Sequence, residues 1–198
     1  MRTRLTLASA LMLALLPGAL ADVAITAQQP AAAAPTWEID PQRSEVRFTV
    51  TKLGFADVTG IFRESSGTIA YDRAIPAASQ IAWRVQVASV LTDASNRDRA
   101  LQSREYFHAA EHPQLVFEST GVRPQADGSL HVDGRITIRG VTRPLTVHVR
   151  PNLSGPSPTF DTRFELDRYD FGVLGGTMLG RMIARRVRVH LIAATRPA

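Results

Sequence analysis

From Thr36 to the C-terminus apolar side chains recur at every second residue, and no other feature of this sequence constrains its fold as tightly. A strand points successive side chains to opposite faces, whereas a helix repeats every three to four residues. Val46, Phe48 and Val50 share one face, with Arg47, Thr49 and Thr51 on the other. Ile81, Trp83, Val85 and Val87 repeat the pattern, as do Leu145, Val147 and Val149. Phe160, Thr162, Phe164 and Leu166 follow it, then Val187, Val189 and Leu191. Shorter candidate strands cover residues 57–63, 66–71, 114–120 and 129–139. Turn residues punctuate them: Gly54, Ser66-Gly67, Ala126-Asp127-Gly128, Gly140, and the stretch from Pro151 to Pro158. About eight strands, each apolar on one side, must bury those sides together. A closed antiparallel barrel does so and removes exposed edges; a two-sheet sandwich satisfies the same alternation.

One stretch departs from the period of two. In residues 95–107 (SNRDRALQSREYF), Ser95 and Asp98 have capping-box spacing and good helix formers follow, which predicts a short helix. The N-terminus is read as an address. Residues 1–21 combine Arg2 and Arg4, an apolar run from Leu5 to Leu16, the breaker Pro17-Gly18 and small residues at Ala19 and Ala21. That is the pattern of a secretory signal peptide cleaved after Ala21. The run is too short for a membrane span, which needs about 20 residues, so no transmembrane anchor is expected after cleavage. Residues 22–35, rich in Ala, Gln and Pro, read as a flexible linker, leaving 36–198 as the folded domain.

Composition narrows the chemistry. The chain has no cysteine, which excludes disulfides, thiolate metal sites and thiol nucleophiles. Its formal charge of +5 comes from Lys+Arg 23 against Asp+Glu 18, and Lys52 is the only lysine. The arginines are spread at alternate strand positions, as on a solvated outer face, and no nucleic-acid partner is expected. His108-Ala109-Ala110-Glu111-His112 spells the H-x-x-E-H string of a metal-dependent hydrolase, the alternative enzymatic reading. Pro113 follows at once and opposes a helix there, so no metal site is expected. No G-x-S-x-G elbow is present. Gly172–Gly180 is glycine-rich but lacks the Lys-Ser/Thr of a phosphate loop, and reads as a flexible gate with Val173, Leu174, Met178 and Leu179.

The ordered motifs resemble the YceI-like family. They begin with Trp37-Glu38-Ile39-Asp40-Pro41, the alternation Ser44, Val46, Phe48, Val50, and Val58, Gly60, Phe62. Leu91-Thr92, Arg97-Asp98, Tyr106-Phe107, His112-Pro113 and Phe117-Glu118-Ser119 continue the likeness. Gly134 with Ile136-Thr137-Ile138-Arg139-Gly140-Val141-Thr142-Arg143-Pro144, and Asp167-Arg168-Tyr169-Asp170-Phe171-Gly172, complete it. The resemblance implies an all-β fold: an extended eight-stranded antiparallel lipocalin-like barrel with one short helix. It further implies a periplasmic, non-catalytic binding protein, in some members a homodimer. The apolar lumen would hold a long isoprenoid-type lipid, a polyprenyl chain or quinone tail, with no other cofactor. Arg43 and Lys52 stand where the family often has histidines. On the faces that become the lumen, the expected ligand-binding residues are Phe48, Val50, Trp83, Val85, Phe117, Ile136, Ile138, Phe164, Leu166, Val187 and Val189.

Overall fold

The structure, a computed structural model, describes residues 34–176, 180 and 182–198. The expected signal peptide, nearly all of the expected linker, and Met178 and Leu179 lie outside the described residues. The chain divides into two units, Met1–Ala32 and Ala33–Ala198, and the architecture is that of the second.

Among the described residues the strands are β1 (Thr36–Ile39), β2 (Glu45–Lys52), β3 (Ala56–Phe62), β4 (Ser65–Ala70), β5 (Gln80–Gln86), β6 (Val90–Leu91), β7 (Gln114–Pro124), β8 (Leu130–Ile138), β9 (Val141–Asn152), β10 (Thr159–Asp167) and β11 (Ile183–Pro197). Helix α1 (Ser95–Gln102) lies between β6 and β7. Pairing runs β1-β4-β5-β7-β8-β9-β10-β11, and β11 pairs back onto β1, which closes a ring of eight. Every pairing in the ring is antiparallel. The other three segments are continuations of ring strands. β2 prolongs β1 along β11, β3 prolongs β4 along β2, and β6 prolongs β5 along β3. The barrel is therefore the solution the chain adopts, and closure leaves its longest strands without an open edge.

Alternation decides what faces inward. Val46 and Phe48 are buried while Arg47 is exposed, and Phe160 and Thr162 are buried while Arg163 is exposed. The outer face carries ion pairs that span strands, among them Arg188–Asp57 at 2.5 Å and Arg196–Glu38 at 2.8 Å. β7 departs from strict alternation. A register shift between Ser119 and Gly121 inserts one residue, so Leu115 and Phe117 line the lumen below it and Val122 is buried beyond it.

The helix differs from its expectation. It ends at Gln102, and no side chain caps its N-terminus. The Asp98 carboxylate instead accepts from the backbone N–H of Thr92 at 2.8 Å and from its hydroxyl at 2.5 Å. Arg97 also donates to Thr92, so the first turn is tied to the end of β6 rather than to itself. Leu101 and Phe107 then pack onto the core, with the Phe107 ring 5.9 Å from that of Phe62. α1 and the turn after it thus cover one end of the barrel.

Candidate functional site

The inward faces enclose one apolar cavity of about 150 Å³. Side chains from all eight positions of the ring contribute, and none of the lining side chains is charged. Nine of the eleven expected residues line it: Phe48, Trp83, Val85, Phe117, Ile136, Ile138, Phe164, Leu166 and Val189. Val50 and Val187 do not. They pair with each other across β2 and β11, on the correct face but past the end of the cavity, where the register shifts between Val187 and Ile183. Val187 packs against the main core instead. Val46, Leu145, Val147, Val149, Phe160 and Thr162 also line the cavity, and their alternation made them visible in advance. Tyr71 and Ser79 line it with no periodic signal, because both lie outside regular strands.

Two glycines shape the wall. A Cβ on Gly60 would stand 2.4 Å from the Phe48 ring, and one on Gly134 would stand 2.5 Å from the Phe117 ring. The outer edge of each ring occupies the place of the missing side chain.

The two ends differ. At one, the Tyr71 and Phe160 rings meet edge to face at 5.5 Å. At the other, Ile136, Ile138, Phe171 and Val173 form a second cluster, joined by Tyr106 and Phe107. Arg168 organises this second end. It is 6% exposed, and its guanidinium donates to the carbonyls of Ala184, Val173, Leu174, Gly180 and Ile183 at 2.5–3.1 Å. All five of its N–H groups are thereby used. The described parts of the expected gate are therefore held, with Val173 buried and Leu174 exposed. Next to it, burial pushes the Asp167 carboxyl upward, but the backbone N–H of Tyr169 and the Arg185 guanidinium outweigh this and hold it below the usual carboxylate range.

The H-x-x-E-H string is not helical: residues 109–111 form a turn, and His108 takes a left-handed φ of 53°. The loop nevertheless gathers all three groups, with Glu111 3.2 Å from His108 Nδ1 and 3.8 Å from His112 Nε2. Their ligand atoms lie within 4.8 Å of one another and could converge on one divalent cation. Glu111 can serve either as the third ligand or as a base beside two histidine ligands.

Among the described residues no helix is long and apolar enough to cross a membrane. The family model for the YceI-like domain matches residues 37–194. A UPF0312 protein of Pseudomonas savastanoi pv. phaseolicola is 30% identical over 163 residues, covering 79% of this chain and 85% of that protein. Protein YceI of Salmonella arizonae is 33% identical over 129 residues, covering 64% and 67%. Among solved structures, Burkholderia cenocepacia BcnA superposes with a TM-score of 0.74 at 24% identity, covering 80% of this chain and 99% of that one. A polyisoprenoid binding domain from Saccharophagus degradans, implicated in plant cell wall breakdown, superposes with a TM-score of 0.66 at 16% identity, covering 84% and 100%. Domain match, relatives and barrel agree, and the chain belongs to the YceI-like family.

Proposed function

We propose that this protein is exported to the periplasm and holds a long isoprenoid-type lipid in its barrel as carrier, buffer or scavenger, without catalysing a reaction. The observation that carries this reading is a closed lumen whose wall is almost entirely hydrocarbon and bears no charge. Such a wall favours an apolar chain, since burial contributes about 25 cal/mol per Å² of apolar surface before ordering costs are subtracted. The description of the Saccharophagus domain as polyisoprenoid binding supports the same choice of ligand.

Trp83 supplies the reporter. It lies within the lumen wall, whereas Trp37 is in β1 and does not line the cavity. Titration with a long-tailed quinone is expected to quench wild-type fluorescence saturably and Trp83→Phe much less. Ile138→Glu, which places a charge in the wall, is expected to abolish binding while circular dichroism stays native, because an unpaired buried charge is costly. Unsaturable quenching in wild type, or unchanged binding in a folded Ile138→Glu, would overturn the reading.

A further inference from the structure

Among the described residues, one group of three histidine or carboxylate side chains gathers its ligand atoms within 4.8 Å: His108, Glu111 and His112. None of the three lines the lumen, so their chemistry is separate from that of the apolar cavity. The expectation against a metal here rested on Pro113 opposing a helix. A metal ion needs converging donor atoms, not a helix. The loop between α1 and β7 brings them together without one.

The backbone fixes the arrangement. The His108 carbonyl accepts from the N–H of Glu111 at 3.0 Å and from that of His112 at 2.8 Å, so the three residues share one closed turn. The N–H groups of His108 and Ala109 donate to the carbonyls of Ser103 and Gln102, which anchors the turn to the end of α1. On the far side, the Pro113 carbonyl accepts from the Val87 N–H at 2.8 Å. The His112 ring is seated too. A Cβ on Gly140 would stand 2.8 Å from its Cε1, so the ring lies against the backbone of the turn between β8 and β9.

The side chains converge on this frame. Glu111 Oε2 is 3.2 Å from His108 Nδ1 and its Oε1 is 3.8 Å from His112 Nε2, which sets the carboxylate between the two imidazoles. Two ligands of one tetrahedral zinc ion stand about 3.3 Å apart, given bonds of about 2.0–2.1 Å. The His108–Glu111 separation already suits this, and small side-chain rotations close the rest. The two histidine side chains are mostly buried while that of Glu111 is 65% exposed, so the site opens to solvent on one side. We propose that His108, Glu111 and His112 hold one divalent ion of the zinc class on the outside of the barrel. Two imidazole nitrogens and one carboxylate oxygen suit zinc and its transition-metal neighbours; magnesium and calcium take oxygen ligands. Three protein ligands leave a position for water on the open side. Because the ion binds the folded loop, it stabilises the native chain in proportion to its occupancy.

The test is a titration of the protein purified without a histidine tag, stripped with chelator and dialysed. Calorimetry with zinc is expected to show about one ion per chain, and magnesium no binding. Glu111→Gln changes an exposed side chain and keeps its shape. It is expected to weaken zinc binding about tenfold or more, since loss of even an outer partner of a metal ligand costs roughly 10–100-fold. His112→Gln is expected to act in the same direction. Zinc is expected to raise the thermal midpoint of wild type and to leave that of a His108→Ala, His112→Ala double variant unmoved. Circular dichroism confirms folding, and Glu111→Gln carries the test if the histidine variants do not fold. Absence of zinc uptake by wild type overturns the site, as does equal uptake of magnesium. Undiminished zinc binding in folded Glu111→Gln and His112→Gln also overturns it. That result would place the ion elsewhere, for instance at the His131–His148 pair across β8 and β9, whose ring centroids are 3.9 Å apart. None of these outcomes touches the lipid reading.

Discussion

Gly60 and Gly134 show how much a single hydrogen in place of a methyl group decides in this wall. Gly60 pairs with Phe48 across β2 and β3, and an added Cβ would also meet Thr92 Cγ2 at 2.7 Å. At Gly134 the added atom would also meet the Glu118 carbonyl oxygen at 2.6 Å, which cannot swing aside as a side chain can. Gly134→Ala is therefore expected to lose about 1–3 kcal/mol of stability, the range for overpacking a core. It should also weaken lipid binding by driving the Phe117 ring inward. Urea denaturation measures the first effect and the quinone titration the second; a neutral Gly134→Ala in both would show that the ring relaxes freely.

At the scale of elements, Arg168 does for Val173, Leu174, Gly180, Ile183 and Ala184 what a strand pairing does elsewhere: it bonds backbone carbonyls. Truncation removes these bonds, and the one to Val173 is buried. Arg168→Met is expected to cost about 3 kcal/mol or more. Arg168→Lys should recover only part of it, since an ammonium has three donors and no fork. Comparing the denaturation midpoints of the two variants checks this, and equal midpoints for wild type and Arg168→Met would refute it. Helix α1 is secured by the same logic at smaller scale. Asp98 and Arg97 both bond to Thr92, so this eight-residue helix is fixed by its strand and not by a cap.

For the whole molecule, closure of the ring and size of the lumen set the limits. The cavity, about 150 Å³, is smaller than the roughly 300–1,000 Å³ of ordinary ligand pockets. A long chain must therefore displace wall side chains or leave part of its tail outside, and the cluster of Phe171 and Val173, with Tyr106 and Phe107 against it, stands at one end. The barrel spans residues 36–197, so removal of residues 1–21 should leave it intact. Export is expected to yield an intact mass for a chain starting at Asp22, with quinone affinity equal to that of a cytoplasmically expressed 22–198 chain. A secreted product of full-length mass would refute the cleavage.

By itself the sequence determined the class of structure and the inner face of nearly every strand, because a period of two leaves no freedom over which side chains share a face. Phe48, Trp83, Ile136 and Phe164 could be assigned to that face before any pairing was known. Barrel rather than sandwich was decided by the return of β11 onto β1, a contact between the two ends of the domain that no local pattern encodes. Tertiary structure also decided where the lumen stops, which removed Val50 and Val187 from its wall despite their correct parity. It also brought Tyr71 and Ser79, from outside the regular strands, into that wall. Parity is a local property of one strand; height and opposition inside a barrel depend on the summed register of all eight.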